Sequence, residues 1–205
     1  FLLYAVIGAT LFGVGIPLYW MIVVRHRSLP DLGITTRNWV LSIVLQLVFA
    51  FFLYFGTLSK TQVSSIEQLL PLSALAFTIG FIEAFFWQGW VQLRFEEAFG
   101  IIPGILLGSL LYAAYHVGYA MSANEMVFLF FIGIMYSIAF RLTKNILILW
   151  PIFQPMGQLV TLINDRLVLP PLAALGFIEA LIVMFVLVWL ANRYAKKHGE
   201  SVLSA

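Results

Sequence analysis

Polar residues along this chain come in short bunches, and the apolar runs between them are about the length of a bilayer. Seven stretches, roughly residues 1–24, 39–58, 70–92, 102–120, 126–142, 146–163 and 172–192, carry almost no charge. A helix rises about 1.5 Å per residue, so about 20 apolar residues cross a hydrocarbon core of about 30 Å. The runs lack the in-out alternation of membrane-barrel strands. The pattern therefore predicts an all-α fold, a polytopic membrane helix bundle of about seven transmembrane helices. Residues 1–205 are expected to form a single integral-membrane domain, with a C-terminal helix at 172–192 and a tail at 193–205. The first stretch is too long for a secretory signal, has no basic leader and precedes further spans.

Composition sharpens this picture. Hydrophobic residues make up 62% of the chain and charged residues 10%, far from the balance of a soluble or disordered protein. With no cysteine, disulfide scaffolds, cysteine-based zinc sites and cysteine nucleophiles are excluded. The net charge of +2 matters less than its distribution. Seven spans place Arg25, Arg27, Arg37, Arg94, Arg141, Lys144, Arg193, Lys196 and Lys197 on one side, and only Lys60 and Arg166 on the other; these account for all eleven basic residues. The positive-inside rule then predicts a cytoplasmic C-terminus. The expected location is a prokaryotic plasma membrane. Trp20, Trp39, Trp90, Trp150 and Trp189 are expected near that same interface, as in an aromatic belt. The basic connection Arg25-His26-Arg27-Ser28-Leu29-Pro30-Asp31-Leu32-Gly33 is expected to touch anionic head groups. His26 and His198 lie in such surroundings and are expected to have no catalytic role. Membrane lipids are expected partners; nucleic acid is not.

Polar groups within the spans point to chemistry. A charge at the bilayer centre costs at least about 2.5–3.5 kcal/mol, so Glu83, Glu179 and His116 need a reason to be there. Trp87 follows Glu83 by one helical turn and shares its face. A carboxylate shielded by Trp and Phe is a setting for general-base catalysis. Gln88 lies five residues after Glu83. Tyr112 precedes His116 by one turn, which makes either interhelical hydrogen bonding or catalysis possible for the histidine. Gln154 and Gln158 share one face of the sixth stretch, where Pro151 and Pro155 each remove a backbone hydrogen bond. Their amides could donate to a developing oxyanion or cap the carbonyls freed by the prolines. Glu179 sits in Gly176-Phe177-Ile178-Glu179-Ala180, an echo of Gly80 to Ala84, and is expected to be structural. Untilted helices would leave Glu83 and His116 about 10 Å apart in depth, at about 1.5 Å per residue.

Together these residues resemble the CPBP family of intramembrane proteases, which includes type 2 CAAX prenyl proteases and bacteriocin-processing enzymes. The family's Glu-Glu-x-x-x-Arg motif, often followed by Gly, is matched by Glu83-Ala84-Phe85-Phe86-Trp87-Gln88-Gly89. Its Phe-x-x-x-His motif is matched by Tyr112-Ala113-Ala114-Tyr115-His116. Its His-x-x-x-Asn motif has Gln154-Pro155-Met156-Gly157-Gln158 in its place. The Gly133-x-x-x-Ser137 span, the Thr143-Lys144-Asn145 turn and Asp31-Leu32-Gly33-Ile34 also look like the family, so the resemblance covers roughly residues 25–163. Four motif positions depart from it: Ala84, Gln88, Gln154 and Gln158.

The resemblance implies an endopeptidase acting on a membrane-associated or lipidated peptide. Glu83 would be the base that activates water and His116 its orienting or proton-shuttling partner. Gln88, Gln154, Gln158 and Tyr112 would line an oxyanion or polar cavity. No cofactor is expected, and metal is unlikely because catalytic zinc takes three protein ligands. The alternative is a catalytically inactive homologue serving as a membrane scaffold, chaperone or accessory subunit. A proton-coupled transporter is disfavoured, because no inverted repeat is visible.

Overall fold

A computed structural model describes residues 2–62, 65–119 and 121–203. Its elements are α1 (Leu3–Val24), α2 (Trp39–Gly56), α3 (Ile66–Phe99), α4 (Ile101–Tyr115), α5 (Ala123–Thr143), α6 (Phe153–Asn164) and α7 (Ala173–Lys197). Every described element is helical, and six of these helices, all but α6, are long and apolar enough to cross a membrane. The chain is an integral membrane protein.

The sixth apolar stretch, 146–163, takes a different form. A single narrow turn at Ile146–Ile148 gives way to irregular backbone, and α6 has only 12 residues. Pro151 and Pro155 cannot donate to a helical ladder, so the first half of the crossing does not wind up. Non-helical backbone at membrane depth must be buried within protein. Here Ile146, Ile148 and Leu149 are buried, and neighbouring side chains supply partners. Gln46 Nε2 donates to the Leu147 carbonyl at 2.7 Å, and Asn145 Oδ1 accepts from the Leu147 amide at 3.0 Å. Asn145 Nδ2 donates to the carbonyls of Thr35 and Arg37 at 2.8 and 2.9 Å.

The long α3 is the hub, packed against α1, α4, α6 and α7. Its 34 residues would measure about 51 Å at 1.5 Å per residue, so it outruns a bilayer core. Glycines set its closest approaches. A Cβ on Gly104 of α4 would fall 2.6 Å from the Glu96 backbone nitrogen of α3. A Cβ on Gly80 of α3 would fall 2.7 Å from Pro155 Cγ of α6. Phe81, Phe85, Phe140, Met21 and Met184 fill the apolar core. In contrast, α2 is largely exposed, presenting Phe51, Phe52 and Phe55 outward.

The basic end is tied together. The Arg25 guanidinium lies over Trp20 and that of Arg193 over Trp189. Trp20 packs edge-on against Trp90. Arg94 pairs with Glu97 at 3.1 Å and donates to the Asp31 carbonyl, fastening the 25–33 connection onto α3. Trp150 departs from the expected belt. Its indole donates to the Phe77 carbonyl at 3.0 Å, and its ring packs on Phe81 and Phe185, well inside α3 and α7. The irregular backbone after Asn145 carries it there. Residues 193–203, read from sequence as a tail, continue the last helix; Arg193 to Lys197 are helix-compatible and no proline stops them. The His198 side chain lies outside the described residues.

Candidate active site

Glu83 stands where α3 changes its winding. Regular α-helix runs over Ile66–Glu83, and wider i→i+5 turns follow over Ala84–Gln92. Such wide turns recur at functional sites. The change brings a run of polar side chains to one buried side of α3. Glu83 itself is only 6% exposed.

Three donors converge on one oxygen of its carboxylate. Glu83 Oε2 accepts from Gln158 Nε2 at 2.7 Å, from Gln154 Nε2 at 2.8 Å and from the Tyr112 hydroxyl at 3.3 Å. No described residue donates to Oε1, and Glu83 lines a cavity. Gln154 and Gln158 reach Oε2 from successive turns of the short α6. The Gly80–Pro155 approach brings that helix close enough. Tyr112 arrives from α4, its ring edge-on to Trp87.

His116 lies one step behind. It caps α4, and its Nδ1 donates to the Tyr112 carbonyl at 2.8 Å, which leaves Nε2 as the basic nitrogen of the neutral ring. Its ring packs against Tyr112 and Tyr115 at centroid distances of 5.0 and 5.1 Å. Glu83 makes no hydrogen bond to it among the described residues; Tyr112 touches both, bridging the expected depth gap. Gln88 is buried, but it does not join the Glu83 cluster, and no described residue meets its side-chain carbonyl. Glu179 is exposed on α7. Sequence reasoning missed Tyr136, which packs on Tyr112 and Phe153 behind the cluster. Its only sequence signal is its place inside the Gly133-x-x-x-Ser137 turn.

Beside Glu83 lies a cavity of about 660 Å³ between α1, α3 and the end of α4. Phe12 of α1 and Ile82, Phe86 and Trp87 of α3 are among its walls, and Glu83 is the only carboxylate or cation among the described lining residues. Such a space suits an apolar chain with a polar group at one point. The site is poorly made for a divalent metal. N–H and O–H donors, not ligand oxygens, point at Oε2, and among the described residues no three His, Cys, Asp or Glu gather.

No curated protein and no solved structure matches the chain. Residues 65–153 match the family model for the type II CAAX prenyl endopeptidase Rce1-like proteins. The matched segment holds Glu83, Gln88, Tyr112 and His116 and stops one residue short of Gln154. Over that segment, somewhat under half of the chain, the protein is similar to these CAAX-type intramembrane proteases, in keeping with the resemblance to the CPBP family.

Proposed function

We propose that this protein is an intramembrane endopeptidase that cleaves a membrane-associated or lipidated peptide with a water activated by Glu83. The observation that supports it most is the asymmetry of the Glu83 carboxylate. Oε2 is clamped by three donors, while no described residue donates to Oε1, and the residue borders an apolar cavity. A water donating to Oε1 attacks the scissile carbonyl carbon and gives its proton to Glu83. When the carbon–nitrogen bond breaks, the same proton passes to the departing amine and the carboxylate is restored. Gln154 and Gln158 aim their amides at Glu83, so their role in this scheme is to hold the base rather than to receive an oxyanion. His116 acts through Tyr112, as a positioning residue. The apolar cavity takes the membrane-embedded part of the substrate, and the basic end faces the cytoplasm.

The test is cleavage of lipidated and unmodified apolar peptides in proteoliposomes, with wild type beside Glu83→Gln. Cleavage by wild type alone supports the mechanism. Equal cleavage by both removes Glu83 from it. Cleavage by neither, with a cellular defect in Glu83→Gln, supports the scaffold or accessory-subunit reading instead.

A further inference from the structure

Hydrolysis consumes one water per bond, and the cavity beside Glu83 is poorly suited to supply it. Among the described residues its lining apart from Glu83 is aliphatic, aromatic or glycine, and only the Tyr4 and Tyr115 phenols and the Trp87 indole carry further side-chain polar atoms. A different feature leads from Glu83 toward the basic end. Glu83, Gln88, Gln92 and Glu96 follow one another along α3 at steps of five, four and four residues. The i→i+5 winding over Ala84–Gln92 lengthens the turn, so these steps keep all four on one side of the helix. They span about 20 Å at 1.5 Å per residue.

This stripe is buried yet polar throughout. Gln88 is 2% exposed and Gln92 fully buried. Gln92 Nε2 donates to Glu96 Oε1 at 2.8 Å and to the Ser137 carbonyl at 3.1 Å. Ser109 and Ser137 face each other across the same seam at 3.4 Å. The side-chain carbonyls of Gln88 and Gln92 are buried acceptors that no described residue satisfies. A buried acceptor without a donor is costly, and ordered water is its usual partner in a polar interior. At the basic end Glu96 meets Arg141 at 3.5 Å, and Arg141 is partly exposed. The row thus runs from an ion pair at the surface to the carboxylate in the membrane.

We propose that this row is the route by which water reaches Glu83 from the basic end, with Gln88 and Gln92 as its positioning residues. The two glutamine carbonyls, each buried with no donor among the described residues, hold successive waters. The route serves hydrolysis only if Glu83 activates water, and so rests on the endopeptidase reading. Its test needs no turnover.

Hydroxyl-radical footprinting by X-ray radiolysis oxidises side chains next to internal water. Wild-type protein in lipid nanodiscs is exposed, and oxidation is read by mass spectrometry. Tyr112 and Tyr136, both buried at the Glu83 end of the row, are expected to oxidise several-fold faster than Met184, which is buried in the apolar core. In Gln88→Leu/Gln92→Leu the tyrosine oxidation is expected to fall to the Met184 level. Tyrosines no more reactive than Met184 in wild type overturn the route. Undiminished tyrosine labelling in the double variant also overturns it, since the water then comes from the cavity. If the double variant does not fold, the wild-type comparison decides alone. A cleavage-dead protein with wet tyrosines would refute the endopeptidase reading and leave the water row standing; an active protein with dry tyrosines would do the reverse.

Discussion

Glu83 takes all its hydrogen bonds on one carboxylate oxygen, and its neighbours differ in what they give it. Replacing Glu83 by Gln keeps the volume and removes the base, so cleavage is expected to fall by about 10²–10⁴-fold with thermal unfolding little changed. Turnover and melting curves of the purified variant check this, and retained turnover would sink the role. Tyr112→Phe keeps the ring stack on Trp87 and loses only the longest of the three bonds, at 3.3 Å. A typical hydrogen bond is worth about 0.5–1.5 kcal/mol net, so this variant should lose no more than about tenfold in rate. A loss as deep as that of Glu83→Gln would make the hydroxyl a proton carrier rather than a brace. The one-turn pairing of Tyr112 with His116 was legible in the sequence, because i and i+4 share a helix face. The direction of the Gln154 and Gln158 amides was not. An amide donates equally well to an oxyanion or a carboxylate, and only the approach of α6 to α3 decides which is present.

At the scale of elements, the site depends on how closely α6 can lie on α3. Gly80→Ala would put a methyl 2.7 Å from Pro155 Cγ and 3.0 Å from its backbone nitrogen. Overpacking of this kind typically costs about 1–3 kcal/mol, and here it would also stretch both amide bonds to Glu83. Lower melting temperature and reduced cleavage are expected together; an unchanged melting curve would show that α6 gives way freely. The long helices were legible because length and apolarity alone define them. The break before α6 was only half legible. Two prolines announced loosened backbone, but the irregular 149–152 path follows from partners on α2 and α3 that lie far away in sequence. Trp150 was misplaced for the same reason: its depth depends on that path. Tyr136 gave only its place before Ser137 as a signal, and an aromatic one position before a small residue is ordinary in a membrane helix.

For the whole molecule, the distribution of charge makes a prediction that packing does not. Arg25, Arg94, Arg141 and Arg193 gather at one end of the bundle, where two tryptophans receive guanidinium groups. A reporter fused after Lys197 is expected to be active only in the cytoplasm, and activity confined to the outside would invert the molecule. The packing of α2 has a separate consequence. This helix is mostly exposed, and its polar ties run from Asn38 to the Thr143 carbonyl and from Gln46 to the Leu147 carbonyl, with Thr35 and Arg37 just before it bound by Asn145. Each of these partners lies more than a hundred residues further along the chain. During synthesis α2 is therefore threaded into the bilayer long before its protein contacts exist. It must wait there on lipid alone while the helices that carry the carboxylate and the histidine are made. Assembly of the site thus waits until the chain has been made past Asn145, and a ribosome stalled before Asn145 would leave behind an undocked helix of the kind membrane quality control removes.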